Sequence, residues 1–242
     1  MPREGAAAQV QSVARALAVL KAFSGGEAFV PLTELARRTG MHKPTVLRLA
    51  RTLAADGFLV QRADGAWRLG PSAGAIGSRY QAQFDVNIII EPQLMELSAA
   101  TGESASFHVY EDNIRSCLLR CEGPRGIRRH VRPGELLPLE RGSAGRVILA
   151  ALGEGGAVYD RIRREGYSIT RGERSAGAAS VSAAVHGAQR AVLGSVSISG
   201  PIERLTQELL QACAPAVVRA AAQLSWKLGG VSVAALRSTW HP

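Results

Sequence analysis

Apolar residues recur with two different periods along this chain. Through the first fifty or so positions they return every three or four residues, and from Ser104 onward they alternate over long stretches. The first spacing lines one face of an α-helix and the second one face of a β-strand. Residues 12–23 (SVARALAVLKAF) place Val13, Ala16, Leu17 and Leu20 on one face, which predicts a helix that closes a small core. Residues 32–53 (LTELARRTGMHKPTVLRLARTL) read as two short amphipathic helices broken at Thr39, Gly40 and Met41. Leu32, Leu35 and Ala36 form the apolar stripe of the first. Val46, Leu49 and Leu53 form that of the second, at i, i+3, i+7. Ala36 is small where two helices cross, and Gly40 stands where the chain turns sharply, a position that favours positive φ. FLVQR and WRLG, separated by Ala63, Asp64, Gly65 and Ala66, predict a short β-hairpin.

Beyond Gly70 and Pro71, residues 72–84 (SAGAIGSRYQAQF) predict a linker helix. Its glycines make it weak alone, so it is expected to lean on a neighbouring subunit. Residues 87–100 carry Ile89, Leu94, Leu97 and Ser98 in helical order and stop at Thr101 and Gly102. SASFHVYE and RSCLLRCEG then read as neighbouring strands joined by Asp112 and Asn113, and RRHVRPGELLPL as a further strand region turned by Pro133 and Gly134. Small residues dominate a helix at 142–152, and a second helix covers 157–164. AASVSAAV and AVLGSVSIS form a long hairpin. Pro201 opens a last helix running to about Gly229, with Leu205, Leu209, Val217, Ala221 and Leu224 available for burial. Hairpins rather than regular βαβ crossovers predict an α+β architecture on an antiparallel sheet. The expected division is a winged helix-turn-helix at 1–70, a linker helix at 71–85 and an α+β domain at 86–242.

The division of labour in 32–53 suits nucleic acid. His42, Lys43, Thr45, Arg48 and Arg51 lie off the apolar stripe of the second helix, where side chains can reach base edges. Arg62 and Arg68 bracket the hairpin, where phosphate contacts are useful. An ordinary helical hairpin with a solvated basic face would show the same helices, so the flanking helix and hairpin carry the winged reading. Charge agrees. The chain of 242 residues has a formal charge of +9, of which +5 falls in residues 1–70, so the basic excess is densest around the helix-turn-helix.

The other composition data mostly exclude. Cys117, Cys121 and Cys213 form no disulfide framework; Cys117 and Cys121, four apart in an apparent strand, are about 13 Å apart, too far for a bridge or one metal ion. The five histidines show no ligand-type spacing, and neither a metal nor a cofactor is expected. Gly142, Ser143, Ala144 and Gly145 are not the Gly-x-Ser-x-Gly of a hydrolase, which leaves no catalytic residues to assign. The start of the chain lacks an apolar segment, and Arg219 and Lys227 interrupt the apolar C-terminal region, so a cytoplasmic protein without a membrane span is expected. Arg125, Arg128, Arg129 and Arg132 make the densest basic cluster, readable as a solvated face, as salt bridges between subunits or as a device that steers an anion.

SVARALAVLKAF, LTELARRTGMHKPTVLRLARTLAADGFL and WRLGP, followed by LPLERGSAGRVILA, RGERSAGAASVSAAV and LGSVSISGPIERL, together resemble the IclR family of bacterial transcriptional regulators over nearly the whole chain. The resemblance implies a GAF-like effector domain after the linker helix, and homodimers or homotetramers on pseudo-palindromic, double-stranded operator DNA. Carried over position by position, the effector pocket would include Ser143 and Ala144 at a helix start, Thr170 before the hairpin, Ser180 on its first strand, and Ser197 and Ser199 on its second. Two departures stand out: Glu140 and Arg146 replace a histidine and a lysine common in the family, so Glu140 would bring a negative charge to the pocket mouth while Arg146 keeps the positive one. Independently, the N-terminus of the 142–152 helix offers free N–H groups to a carboxylate, and Ser197 and Ser199, two apart on a strand, face one side. A small organic acid is the effector that these features imply. A second domain that serves only oligomerisation, and an enzyme with a helix-turn-helix appendage, are the alternative readings.

Overall fold

The structure is a computed structural model that describes residues 10–23, 27–82, 84, 86–124 and 132–229. The chain divides into two compact units, Met1–Ala82 and Gln83–Pro242.

In the first unit, helices α1 (Gln11–Lys21), α2 (Leu32–Thr39) and α3 (Lys43–Ala55) precede a hairpin of β1 (Leu59–Gln61) and β2 (Trp67–Leu69), and α4 (Pro71–Ala82) follows. Val19, Leu35, Val46, Ala50, Leu59 and Trp67 close one core. The hairpin pairs Leu59 with Leu69 and Gln61 with Trp67, and Val30 adds a single bridge to Trp67. Gly40, with φ of +67°, makes the turn between α2 and α3. Arg38 then fixes α2 against its surroundings, donating to the Ala22 carbonyl at 2.9 Å and pairing with Glu27 and Glu34. The face of α1 differs from the sequence expectation. Val19 and Ala22 enter the core, whereas Val13 and Leu17 are 54% and 48% exposed. This helix is apolar on more than one side, so periodicity alone does not choose the stripe that is buried.

The second unit opens with a π-helical turn, Val86–Ile90, that runs into α5 (Glu91–Thr101). Gly102, at φ +72°, stops that helix as expected. Strands β3 (Ser104–Glu111), β4 (Ile114–Cys121), β5 (Leu136–Leu137), β6 (Ser168–Arg171), β7 (Ala178–His186) and β8 (Val192–Pro201) form one antiparallel sheet in the order β5-β4-β3-β8-β7-β6. Helices α6 (Ser143–Ala151) and α7 (Ala157–Glu165) lie between β5 and β6, and α8 (Gln207–Gly229) ends the described chain.

Strand register gives the sheet two unlike faces. Ser104, Ser199, Ser180 and Thr170 align across β3, β8, β7 and β6, and Ser106, Ser197, Ser182 and Ser168 form a parallel row beside them. The intervening residues, among them Ala105, Phe107, Val181, Ala183, Val196 and Ile198, are buried and apolar. Alternation forces this separation. Helix α8 packs on β7 and β8 and α5 on β3 and β4, while α6 packs on β6, β7 and β8 with its first residue against the serine rows. Gly145 lets the backbone at Leu139 pass close against α6, because a Cβ there would sit 2.0 Å from the Leu139 carbonyl oxygen.

Four expectations change. Strand β6 was not anticipated: it has four residues and adjoins a polar loop. Of the strand region around 127–138, only Leu136–Leu137 is a strand, and residues 125–131 lie outside the described residues. Helix α8 begins at Gln207 rather than Pro201, which instead ends β8 and accepts bonds from the N–H groups of Arg204 and Leu205. Leu209 is therefore on the exposed side of α8, whereas Leu205, Val217, Ala221 and Leu224 are buried.

Arg204 and Glu103 tie the turn before α8 to the start of β3, with Nε–Oε1 and Nη2–Oε2 distances of 2.6 and 2.7 Å and Glu103 only 1% exposed. Removing one member leaves a buried charge without its partner. Arg204→Ala is expected to destabilise the second unit by about 3 kcal/mol, and Glu103→Gln in the same chain to recover part of the loss. Urea unfolding of the full chain, followed by far-UV circular dichroism, reads both effects.

Candidate functional site

The first candidate surface is the polar side of α3. Val46 and Ala50 are buried beneath it, whereas Lys43, Arg48 and Arg51 are exposed, as is His42 just before the helix. Among the described residues none of these four pairs with a carboxylate. Thr45 is half-buried, its N–H donating to the His42 carbonyl. Pro44 near the helix start has no N–H to leave unsatisfied, which suits that position. Arg62 lies 4.5 Å above the Phe29 ring and pairs with Asp64 at 3.4 Å, so the turn of the hairpin holds it in place. Arg68 is exposed and donates to the Leu69 carbonyl. The structure thus leaves His42, Lys43, Arg48 and Arg51 exposed to solvent, with Arg68 in β2 and Arg62 directly after β1.

The second candidate is a cavity in the second unit with about 450 Å³ of empty space, solvent at its mouth included. Ser143, Ala144, Thr170, Ser180, Ser197 and Ser199, which come from four separate elements, all line it. Their hydroxyls form a chain. Ser143 Oγ lies 2.7 Å from Ser180 Oγ and 2.6 Å from Ser182 Oγ, and Ser182 Oγ is 2.7 Å from Ser197 Oγ. Thr170 accepts from the Ser143 N–H at 3.0 Å and lies 3.3 Å from Ser180 Oγ. No other side chain caps α6, whose N-terminal end retains donors and a positive dipole.

Ser106 and three ionisable lining side chains escaped the sequence reading. Arg115, 2% exposed, donates from Nε to the Pro138 carbonyl at 3.0 Å and from Nη2 to the Arg141 carbonyl at 2.9 Å. Burial, and next the neighbouring Arg174, lower its pKa to about 10. Arg174 lines the same space, and a Cβ on Gly142 would lie 3.6 Å from Arg174 Cβ and 3.7 Å from Arg115 Nη2. His108, 3% exposed, has no hydrogen-bond partner for either ring nitrogen. Burial, followed by the charges of Arg115, Arg174 and Arg120, pushes its pKa well below the usual histidine range. A signal existed in SASFHVYE, where His108 continues the alternation of Ser104 and Ser106. Arg115 had none, because a charged residue on a strand ordinarily faces water.

The two family departures behave differently from expectation. Glu140 is exposed and does not line the cavity; Arg146 pairs with Glu173 at 2.7 Å instead of facing it. The positive charge comes from Arg115 and Arg174. Arg132 is exposed, whereas Arg125, Arg128 and Arg129 lie outside the described residues. The three cysteines are free, and burial pushes the Cys117 thiol up to about 12. Among the described residues there is no group of three His, Cys, Asp or Glu side chains able to hold a metal, and no helix long and apolar enough to cross a membrane.

Comparison with known proteins bears on both surfaces. Residues 12–63 match the family described as the IclR helix-turn-helix domain, and residues 78–159 and 156–226 match the bacterial transcriptional regulator IclR C-terminal family. The chain is 27% identical to the transcriptional repressor IclR of Escherichia coli K12, over 93% of each chain. It resembles the crystal structure of an IclR transcriptional regulator from Alicyclobacillus acidocaldarius with a TM-score of 0.73 and 26% identity, covering 90% of this chain and 98% of that one. An IclR homologue from Microbacterium hydrocarbonoxydans, complexed with 4-hydroxybenzoate, shares the fold with a TM-score of 0.73 at 18% identity, over 94% of this chain and all of that one.

His108 generates a pH prediction. The native ring stays neutral while the unfolded one takes up a proton below its ordinary value of 6.5, so the unfolded state binds more protons and stability falls on acidification. His186, also lowered by burial and then by Arg190, acts in the same direction. Stability is expected to decline from pH 6.5 toward pH 5 by at most about 1.4 kcal/mol per pH unit for each histidine. His108→Gln should remove its share of that slope and leave the share of His186, as measured by urea unfolding across this range.

Proposed function

This chain belongs to the IclR family of bacterial transcriptional regulators, and on that premise we propose that it binds pseudo-palindromic operator DNA through α3 and the wing, under the control of a small organic acid held in the second unit. It is a DNA-binding regulator and not an enzyme. The observation that carries the reading is the state of α3 and its N-cap: apolar residues seat the helix in the core, and His42, Lys43, Arg48 and Arg51 are exposed without a carboxylate partner among the described residues. In this proposal α3 enters the major groove, with Arg48 placed to reach base edges and Lys43, Arg51, Arg62 and Arg68 close enough to the duplex for phosphates. Asp64 offsets the charge that Arg62 brings, so Arg62 contributes less than Arg68 to affinity.

A palindromic site requires two heads. Val10 just before α1 and Val13 and Leu17 on it are exposed, and α4 buries no residue and exposes Ile76. Apolar helix faces of this kind suit a second copy, which supports a homodimer or a pair of dimers. The proposed division is a DNA-binding domain at 1–70, a linker helix at 71–85 and an effector and oligomerisation domain at 86–242. The 4-hydroxybenzoate complex of one homologue supports an organic acid in the serine-lined cavity. An effector acts only insofar as it binds two arrangements of the DNA heads with different affinity.

Arg48→Ala is expected to weaken binding to an operator selected from random DNA by ~1–3 kcal/mol, with little change on non-specific duplex. Fluorescence anisotropy on both duplexes measures this, and an equal loss on the two would assign Arg48 to phosphate. Ser197→Ala is expected to shrink the ligand-induced change in operator affinity. An unchanged ligand affinity would remove Ser197 from the site.

A further inference from the structure

The charge and shape of the cavity say more about its occupant than that it is acidic. Arg115 and Arg174 both line it, and among the described residues neither pairs with a carboxylate. No Asp or Glu lines it among the described residues. The Arg115 guanidinium and the stem of Arg174 border one corner at Gly142, beside the start of α6, where Thr170 takes the Ser143 N–H and the positive end of the helix dipole remains. Arg174 lies close enough to Arg115 to disfavour its charge, and negative charge brought into the cavity would relieve that repulsion.

The rest of the wall is polar and small. Serines at 106, 197 and 199 supply hydroxyls, and His108 supplies two ring nitrogens that are buried and without a partner. Ser195, directly across from His108 in the sheet, also keeps a buried hydroxyl without a partner. Buried polar groups of this kind call for a partner that hydrogen-bonds. Among the described residues, apart from the stems of the arginines and the His108 ring, the apolar surface of the wall comes from alanine, glycine and the carbons of serine and threonine. No described leucine, isoleucine, methionine, phenylalanine or tryptophan lines it to sandwich an aromatic ring.

We propose that the effector is a compact dianion with at least one hydroxyl or keto oxygen, with Arg115 and Arg174 selecting for its double negative charge and His108 and the serines reading its oxygens. This rests on the effector reading above and narrows it. A short hydroxy-dicarboxylate and the phosphate ester of a short polyol both carry this chemistry. Arg115 is locked by two backbone carbonyls and presents its remaining donors in one fixed direction, whereas Arg174 is half-buried and is the group to vary.

The test uses calorimetry and operator-binding anisotropy on the full chain with matched probes. L-malate is compared with L-lactate, which lacks one carboxylate, and glycerol 3-phosphate with glycerol. 4-Hydroxybenzoate represents an aromatic monoanion. At least one dianion is expected to bind about tenfold or more tightly than its matched partner and than 4-hydroxybenzoate, and to shift operator affinity. Arg174→Gln should lower that ratio toward unity and Arg174→Lys should keep most of it, with circular dichroism confirming the fold of both. Preference for malate selects the dicarboxylate and preference for glycerol 3-phosphate the phosphate ester. Tighter binding of lactate or 4-hydroxybenzoate overturns the dianion while leaving the effector reading in place, and so does a ratio indifferent to Arg174→Gln. Absence of binding by every probe, with operator affinity unmoved, overturns both.

Discussion

The second unit depends on one constraint, that hydroxyl groups buried on one face of a sheet must find partners on the spot. Four strands carry serine or threonine at alternate positions, and α6 covers these rows. Each hydroxyl shut away from water without a bond would cost on the order of 1–3 kcal/mol. Ser143, the first residue of α6, meets the demand by reaching both Ser180 and Ser182, and Thr170 takes its N–H. One residue therefore docks the helix, satisfies the sheet and shapes the wall of the cavity. The opposite face needs no such device, since its alanine, valine and isoleucine side chains bury against helices through packing alone.

The first unit solves a different problem, which is to keep a helix firmly seated while its outer face stays bare. Val46 and Ala50 anchor α3, and Arg38 holds α2 to the end of α1 and to Glu27. Glu34 sits between Arg37 and Arg38, whose hydrogen bonds hold its carboxyl down to about 2. The charges of α2 are thus spent on one another, whereas those of α3 remain open to a partner.

Periodicity made much of this readable in advance. The turn at Gly40, the hairpin after Gly57 and the β7–β8 hairpin each combine a clear apolar period with a turn residue, so local sequence and fold agree. The alternation that predicts strands also placed Ser197 and Ser199 on a shared face. The misses have physical causes. Helix α1 has two apolar sides and the chain alone does not say which meets the core. Pro201 suits a helix start as well as a strand end. Arg115 is buried because carbonyls of Pro138 and Arg141, distant in sequence, receive its N–H groups, and no local pattern encodes that meeting. The six pocket positions carried over from the family line one cavity, but the arginines that give it charge were invisible to periodicity.

The hydroxyl chain from Thr170 through Ser180, Ser143 and Ser182 to Ser197 has a further consequence. Every member can donate one proton and accept others, so the direction of the bonds is a collective property of the row. A ligand oxygen that accepts from one end fixes the sense in which the neighbouring protons point, and a ligand hydroxyl that donates there fixes the opposite sense. Two molecules of equal size and charge, differing only in whether a keto or a hydroxyl oxygen meets Ser197, would then leave the start of α6 with its serine proton turned to different hydroxyls of β7, Ser180 or Ser182. The oxidation level of a bound oxygen would in that respect be written into the hydrogen bonds that dock α6 on the sheet.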